Sequence, residues 1–317
     1  MPKATYRSVL GLATETVDGT AVAPTVFIPV STITPKDTVT QLVDKGWRGS
    51  LVDAYDAQAG MITGELDFDG DVFLDTIGYP LAGIMGDLTE TGSSAPYMHK
   101  FALLNSGQGQ PVSQSFTDFY SAGTRVYAGG RYSELDFKFS PDALLTYSAK
   151  AMTFGSATAA TPTPTFTTVE PLVGWKGVIQ IGGSTFAEMT DAEIDIKRSL
   201  TAIKPINNSQ NPSTIFAGPM SVEGKATLIM EDDTYLTDYL QGTKTSLDFT
   251  FTQSTGNSID FHMSKVSLTA ADITRGKDYI ELPVSFKAYG NSSDVGTSAG
   301  YGPILITLNN AIAGGSY

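Results

Sequence analysis

Two segments of this chain, "MITGELDFDGDVFLDTIGYPLAGIMG" (residues 61–86) and "MSVEGKATLIMEDDTYLTDYLQG" (residues 220–242), carry one pattern of strand, acidic turn and short helix. Aligning Ile62 with Val222, Gly64 with Gly224, Leu66 with Ala226 and Phe68 with Leu228 puts apolar or small residues at alternate positions, with Thr, Glu, Lys or Asp between them. That period of two belongs to a strand with one buried face. The carboxylates that follow are Asp69 and Asp71 in one segment and Glu231, Asp232 and Asp233 in the other. They stand where helix N-caps and the positive end of a helix dipole favour them. Leu74, Ile77, Leu81 and Ile84 then fall at helical spacing, with Pro80 expected to kink or break that helix. Leu236, Tyr239 and Leu240 predict a shorter helix in the second segment. Such self-similarity restricts the fold to one that builds the same unit twice.

The order of elements around the two segments agrees with this. The stretch "GSATAATPTPTFTTVEP", residues 155–171, is rich in Ala, Thr and Pro and uncharged before Glu170, as an extended linker would be. Before it, "TVTQLVDKGW", the repeated segment, "YMHKFALL", "SQSFTDFY", "GGRYSELDFKF" and "LLTYSAKAMTF" read as strands. After it, "EMTDAEIDIKRS" is a strand with Ala192, Ile194 and Ile196 facing in and Asp191, Glu193 and Asp195 facing out. "SLDFTFTQ", "NSIDFHMSKVSL" and "KDYIELPVSFKAYG" close the second half, and "LLTYSAKAMTFG" aligns with "YIELPVSFKAYG". The expected architecture is mainly β: two tandem sandwich or barrel domains from an internal duplication, each with one short helix. They would span residues 1–155 and 171–317, joined by a linker at 156–170, with room for two sizeable cores.

Composition removes most chemistries. Lys plus Arg is 20 against 33 for Asp plus Glu, a net charge of −13 spread over both halves. A nucleic-acid reader carries the opposite sign. With no Cys there is no disulfide, thiolate metal site or Cys nucleophile. The opening "MPKATYRSVLGLATETVDG" is too short in apolar residues for a secretory signal, and no run reaches the ~18 apolar residues of a membrane helix, so a soluble, unsecreted chain is expected. "GTSAG" (residues 296–300) has the form of a nucleophile elbow, but a Gly/Ser-rich loop surrounds Ser298, and His99 and His262 both precede it. "DFDGD" (residues 67–71) begins like a calcium loop, yet Val72 and Gly78 stand where that loop needs Gly and Glu. Alternating Asp on a strand's solvent face explains it better, with a weak surface Ca²⁺ site as the alternative. His99 and His262 lack a third ligand at metal spacing and are expected on strand surfaces. Trp47 and Trp175 suit a core or an interface. No catalytic, cofactor or metal site emerges.

The sequence resembles the tail tube proteins of long-tailed bacteriophages. "GLATETVDGTAVAPTVFIPVS" looks like the opening common in larger members, followed by "DKGWRGS", and "DAEIDIKRSL" with "VEGKATLIMEDDTYLTDYLQGTKTSLDFTFT" looks like the tube-domain core. The resemblance implies a β-sandwich-like domain with one helix, closing in sixes into a ring whose inner strands form a barrel. It further implies rings stacked into a tube that passes DNA, and tape-measure, tail-terminator and tail-tip proteins as partners in the virion tail after synthesis in the host cytoplasm. A tail-tip or other tandem β-domain virion part is the alternative, a secretion-system tube subunit a more distant one. No cofactor, membrane or sequence-specific DNA binding is implied.

Two groups of residues are the candidate working surfaces. Trp47, Leu51, Val52 and Tyr55 in a loop at 47–60, and Leu200, Ile203, Ile206, Ile215 and Phe216 in a loop at 198–218, are too apolar for idle loops and should stack ring on ring. Glu65, Asp67, Glu193, Asp195 and Glu223 alternate with the apolar face of their strands and should face the lumen, where negative charge repels DNA and lets it slide. Arg125, Arg131 and Lys225 are expected to pair with neighbouring acids. If both halves are tube domains, three chains close a pseudo-sixfold ring; the rival is a hexamer in which only the second half builds the barrel.

Overall fold

The period-two segments fold as strands, in matching order in the two halves of the chain. The first half runs β1 (Val9–Thr14), β2 (Val26–Ile28), β3 (Thr32–Asp44), β4 (Asp56–Asp71), α1 (Gly78–Met85), β5 (Gly86–Thr91), β6 (Tyr97–Leu103), β7 (Gln114–Tyr120), β8 (Gly123–Phe139), β9 (Thr146–Thr153) and the two-residue β10 (Ala157–Thr158). The second runs β11 (Gly177–Ile181), β12 (Ser184–Thr185), β13 (Met189–Ile203), β14 (Thr214–Ile229), α2 (Thr234–Gln241), β15 (Lys244–Ser254), β16 (Asn257–Ala271), β17 (Glu281–Ala288) and β18 (Leu305–Asn310). This computed structural model describes residues 5–254 and 256–317, so the first four residues of the opening segment lie outside it. The molecule is mainly β, its strands linked by antiparallel pairing, with two short α-helices.

Eight strands form one face in the order β3–β4–β9–β8–β13–β14–β17–β16. The first four and the last four repeat each other down to their irregularities. In β3–β4 the pairing jumps from Val39–Ile62 to Gln41–Ala59, and in β13–β14 from Arg198–Met220 to Leu200–Ala217. In β8–β9 it jumps from Tyr132–Ala151 to Glu134–Lys150, and in β16–β17 from Leu268–Phe286 to Ala270–Ser285. A bulge re-aims a strand and fixes its register, so shared bulges are a more specific likeness than shared strand order. They also correct the alignment made from sequence. Gly64 pairs with Thr153 and Val222 with Ala288, so β4 corresponds to β14 two residues away from the Gly64–Gly224 match. A two-residue slip leaves every side chain on its own face, and hydrophobic alternation alone cannot detect it.

A second layer folds over each half of this face: β2–β1–β7 with the start of β8, and β12–β11–β15 with the start of β16. β8 belongs to both layers, and it turns between them at Gly129 (φ 64) and Gly130. A Cβ on Gly129 would stand 2.7 Å from the Phe154 ring, and one on Gly130 2.2 Å from the Phe116 ring, so only Gly fits the bend. Leu10, Leu12, Leu66, Phe68, Phe116 and Tyr132 fill the first sandwich, and Ile194, Ile196, Val222, Phe249, Phe261 and Phe286 fill the second. These are one core and not the two expected. Phe137 of β8 stacks 4.8 Å from Phe261, and Phe139 lies 4.8 Å from Phe251 and 5.4 Å from Phe249, carrying first-half aromatics into the second half.

Both helices differ from the sequence reading. α1 begins at Gly78, so Pro80 sits in its first turn, where a missing N–H costs nothing, and the helix runs on to Met85 without a break. Asp69 and Asp71 do not cap it: Ile77 is the N-cap residue, and Asp69 accepts the Thr32 hydroxyl. At α2 Asp233 is the N-cap residue but its side chain makes no capping hydrogen bond; its neighbour Asp232 accepts the Thr234 N–H at 2.9 Å. In α2 the packed residues are Tyr235 and Leu236, with Tyr235 edge-on to Phe186, whereas Leu240 is exposed. β5 and β6 are an extra hairpin of the first half; β6 pairs with β18, which pairs with β16.

Candidate functional site

The outer side of the eight-stranded face is a ladder of charges. All five expected acids lie on it, alternating with the buried Leu66, Phe68, Ile194, Ile196 and Val222. Four are held by lysines: Lys36 to Glu65 at 3.2 Å, Lys138 to Glu193 at 3.7 Å, Lys197 to Asp195 at 2.9 Å and Lys287 to Glu223 at 2.6 Å. Asp67 stands opposite Lys150, which pairs with Glu134 at 2.5 Å, and Glu134 in turn meets Lys197 at 3.4 Å. Burial works to raise the Glu134 carboxyl, but hydrogen bonding and charge from Lys150 and Lys197 hold it below the ordinary range. Asp67 is raised, by burial first, with Lys150 opposing and Glu65 and Asp69 adding to the rise. The network crosses from the first half to the second without a break.

Where the halves meet, the cross-strand pairs include Asp136–Asp195 and Asp195–Glu223. Asp136, Glu193 and Asp195 bring carboxylate oxygens within 4.8 Å of one another, the one such group among the described residues. Asp136 is pushed up to about 7 by burial and then by Glu193 and Asp195, with Lys138 opposing. Asp67, Asp69 and Asp71 do not converge, so the calcium-like run is an alternating strand face. Of the three expected cationic exceptions, Arg131 reaches an acid, Asp18, at 3.5 Å. Arg125 instead bonds Ser156 and Thr158, and Lys225 stands opposite Glu193 in register.

The apolar loop candidates sit at the far ends of two long hairpins, β3–β4 and β13–β14. The strands run further than expected, leaving connections of residues 45–55 and 204–213. At the first end Trp47 is 100% exposed, Leu51 and Val52 are exposed, and Tyr55 is half-buried under the Arg48 guanidinium. At the second, Ile206 lies in the connection while Ile203 and Phe216 are on the strands, all three exposed. Leu200 is half-buried on β13. Ile215, expected with them in the loop, is instead 0% exposed on β14, inside the chain's own packing and out of reach of another copy.

Both histidines and Ser298 are engaged in hydrogen bonds within the chain. Ser298 Oγ donates to Asp87 Oδ2 at 2.6 Å, fixing the "GTSAG" loop. His99 is 0% exposed and not on a strand surface, spanning Glu90 at 3.1 Å and the Ile312 carbonyl at 2.9 Å. His262, half-buried, lies between Asp248 and Ser264. Ser264 Oγ also bonds the buried Asp294 at 2.5 Å, which ties these groups into a structural network. Sequence reading missed Arg198, 6% exposed, which donates to the carbonyls of Ile84, Gly109 and Gly218 and so clamps β13 to α1. Burial, with Arg131 nearby, pulls it down to about 10. A basic residue at an inward position of an alternating strand was its one visible signal.

The described residues thus present a charged sheet face and two hairpin ends with bare apolar side chains. No curated protein matches the chain. The model of a family described as phage tail tube protein matches residues 5–288, nearly the whole chain and both halves of the repeated face. The chain belongs to the phage tail tube protein family.

Proposed function

We propose that this chain is the repeating wall of a phage tail tube, in which three copies close a ring, rings stack, and double-stranded DNA passes along the acidic face during genome ejection. The observation that carries it is the eight-stranded face made of two four-stranded units with matching bulges. Each unit supplies what one of six ring positions needs, and the linker joins two of them in one chain, with the domains at about 1–155 and 171–317 as copies of an ancestral one. Head-to-tail contacts that meet at a closing angle give such a ring. Eight strands from each of three chains give about 24; at ~4.8 Å spacing and ~45° tilt the barrel is roughly 50 Å across its backbone. Side chains leave about 40 Å, open enough for a duplex.

Stacking falls to the hairpin ends carrying Trp47, Leu51, Val52, Ile203, Ile206 and Phe216, and the lumen to Glu65, Asp67, Glu193, Asp195 and Glu223. Tape-measure, terminator and tip proteins complete the tail. An averaged electron-microscopic cross-section of tubes assembled from the purified chain tests this. Three chains per ring with six similar lobes are expected. Six identical chains per ring would overturn the trimer, and a protein that forms neither rings nor tubes would overturn the tube.

A further inference from the structure

The junction between the two halves is a template for the contact between two copies. Within the chain, Glu134–Phe139 of β8 pairs with Ala192–Lys197 of β13, Lys197 opposite Glu134 and Ala192 opposite Phe139. The registers carry each of these segments to its counterpart in the other half. On one side, Glu134–Lys150 after the β8–β9 bulge matches Ala270–Ser285 after the β16–β17 bulge. Lys138–Thr146 matches the bridge Thr274–Glu281. Residues 134–139 therefore correspond to 270–275. On the other side, Asp37–Gly64 matches Ile196–Val222, and Thr32–Asp69 matches Asp191–Thr227. Residues 192–197 therefore correspond to 33–38.

Both counterparts are open. β3 pairs with β4 alone among the described residues, and its exposure is nearly continuous over Thr32–Asp44. It contains Pro35, and proline is confined to sheet edges because it cannot donate to a ladder. β15 leaves β16 at Lys244–Ser267, so among the described residues the stretch beyond it has a strand neighbour on its β17 side only. Asp272 and Ile273 there are exposed.

We propose that residues 33–38 of one copy add antiparallel to residues 270–275 of the next, in the register of the internal junction. Thr38 then faces Ala270, Lys36 faces Asp272, Pro35 faces Ile273 and Ile33 faces Arg275. The seam rests on the reading of the chain as a ring-forming tube subunit and supplies its contact. Inside the chain the position of the Lys36–Asp272 pair is held by Asp195 and Asp136, two like charges. Between copies it is held by opposite ones, which favours the exchange of partners expected of a joint formed by diffusion. Pro35 leaves the new ladder one donor short. The helices point the same way: seven residues of α1 are buried, partly under the second half through Arg198, while no residue of α2 is. The next copy would cover α2 as the second half covers α1.

The chain has no cysteine, so a cross-link tests the register directly. Directly opposite residues in an antiparallel pair have Cα atoms about 4.5–5.5 Å apart, within disulfide range. Rings of the K36C/D272C double variant, oxidised and run under denaturing non-reducing conditions, should give linked chains ending at a closed trimer. K36C/D278C should give at least tenfold less. Normal rings of K36C/D272C that run as monomers after oxidation would overturn the seam while leaving the ring intact. If the unmodified chain forms no rings, the ring reading falls, and the seam with it. As a second readout, K36D should weaken ring formation at least tenfold while its circular dichroism stays native, and adding D272K should restore it. K36D rings of normal yield would also overturn the pairing.

Discussion

Asp136 sits where the two halves join, with little solvent and the wrong neighbours. Its Oδ1 has no hydrogen-bond partner, and the nearest cation, Lys138, is 3.7 Å from Oδ2. Its folded pKa of about 7 lies above that of an unfolded carboxyl, and Asp118, raised to about 6 by burial alone, has the same sign. A raised carboxyl makes the folded state bind more protons than the unfolded state between the two pKa values. Stability should therefore rise as pH falls from about 8 to about 5 and level off once the unfolded carboxyls also protonate. Asp136→Asn should raise the melting temperature at pH 8 and flatten this dependence, with little change at pH 5; a melting curve series over pH checks it. A variant whose slope equals that of the original chain would place the titration elsewhere. Arg198 is the opposite case, a buried cation satisfied by three carbonyls. Arg198→Ala should cost roughly 2–4 kcal/mol by orphaning them, read as a fall in the urea midpoint, and Arg198→Lys should recover only part because it lacks the planar fork.

At the scale of elements, the two long hairpins share a bulge but end differently. The β3–β4 end stands free, stiffened by Lys45–Asp53 and Arg48–Asp44 pairs around its bare Trp47. The β13–β14 end is tied back: Gln210 accepts the Ile62 N–H at 2.8 Å, and Asn211 accepts that of Gly155 at 3.1 Å. Replacing residues 46–54 by Asn-Gly should leave melting nearly unchanged and rings intact while abolishing tubes, as seen by electron microscopy. Deleting residues 203–215 removes the buried Ile215 as well, so it should also destabilise by about 2–5 kcal/mol, the range for losing a buried aliphatic side chain. Tubes of normal length from the first variant would assign stacking to another surface. The hairpins were only half legible in the sequence. Alternation marked β4 and β14 because one face of each is buried. It did not mark β1, whose "VLGLAT" is buried on both faces, nor the extension of β13 to Ile203, where the strand leaves the core and loses its pattern. The bulges, which establish the correspondence of the halves most firmly, leave no compositional trace.

At the scale of the molecule, the acidic face was legible because charge alternates with apolar residues on a strand whichever way its neighbours lie. The lysines that answer it were not, since Lys138, Lys150 and Lys287 reach Glu193, Glu134 and Glu223 from other strands. Those pairs change what a charge reversal would do. Their lysine side chains are 39–62% exposed and their acids 19–48%, so water screens each pair and its contribution to stability is modest, and replacing the acid by lysine frees one lysine as well as adding another. Asp195→Lys with Glu223→Lys should therefore leave folding and ring assembly near normal while turning a paired patch into a cationic band, repeated in every chain of every ring. The original tube should retain no DNA at any salt. The variant tube should retain duplex DNA at low salt, with log K falling steeply against log salt at a slope of roughly −0.9 for each phosphate contacted. Transit would slow as counterion release favours the bound state. Retention measured on sedimented tubes from 50 mM to 500 mM salt reads both the affinity and the slope, those concentrations being about the range over which phosphate contacts are screened out. If the variant tubes assemble and still retain no more DNA than the original at the lowest salt, the charged face lies outside the channel, and the barrel must be lined by the opposite layer.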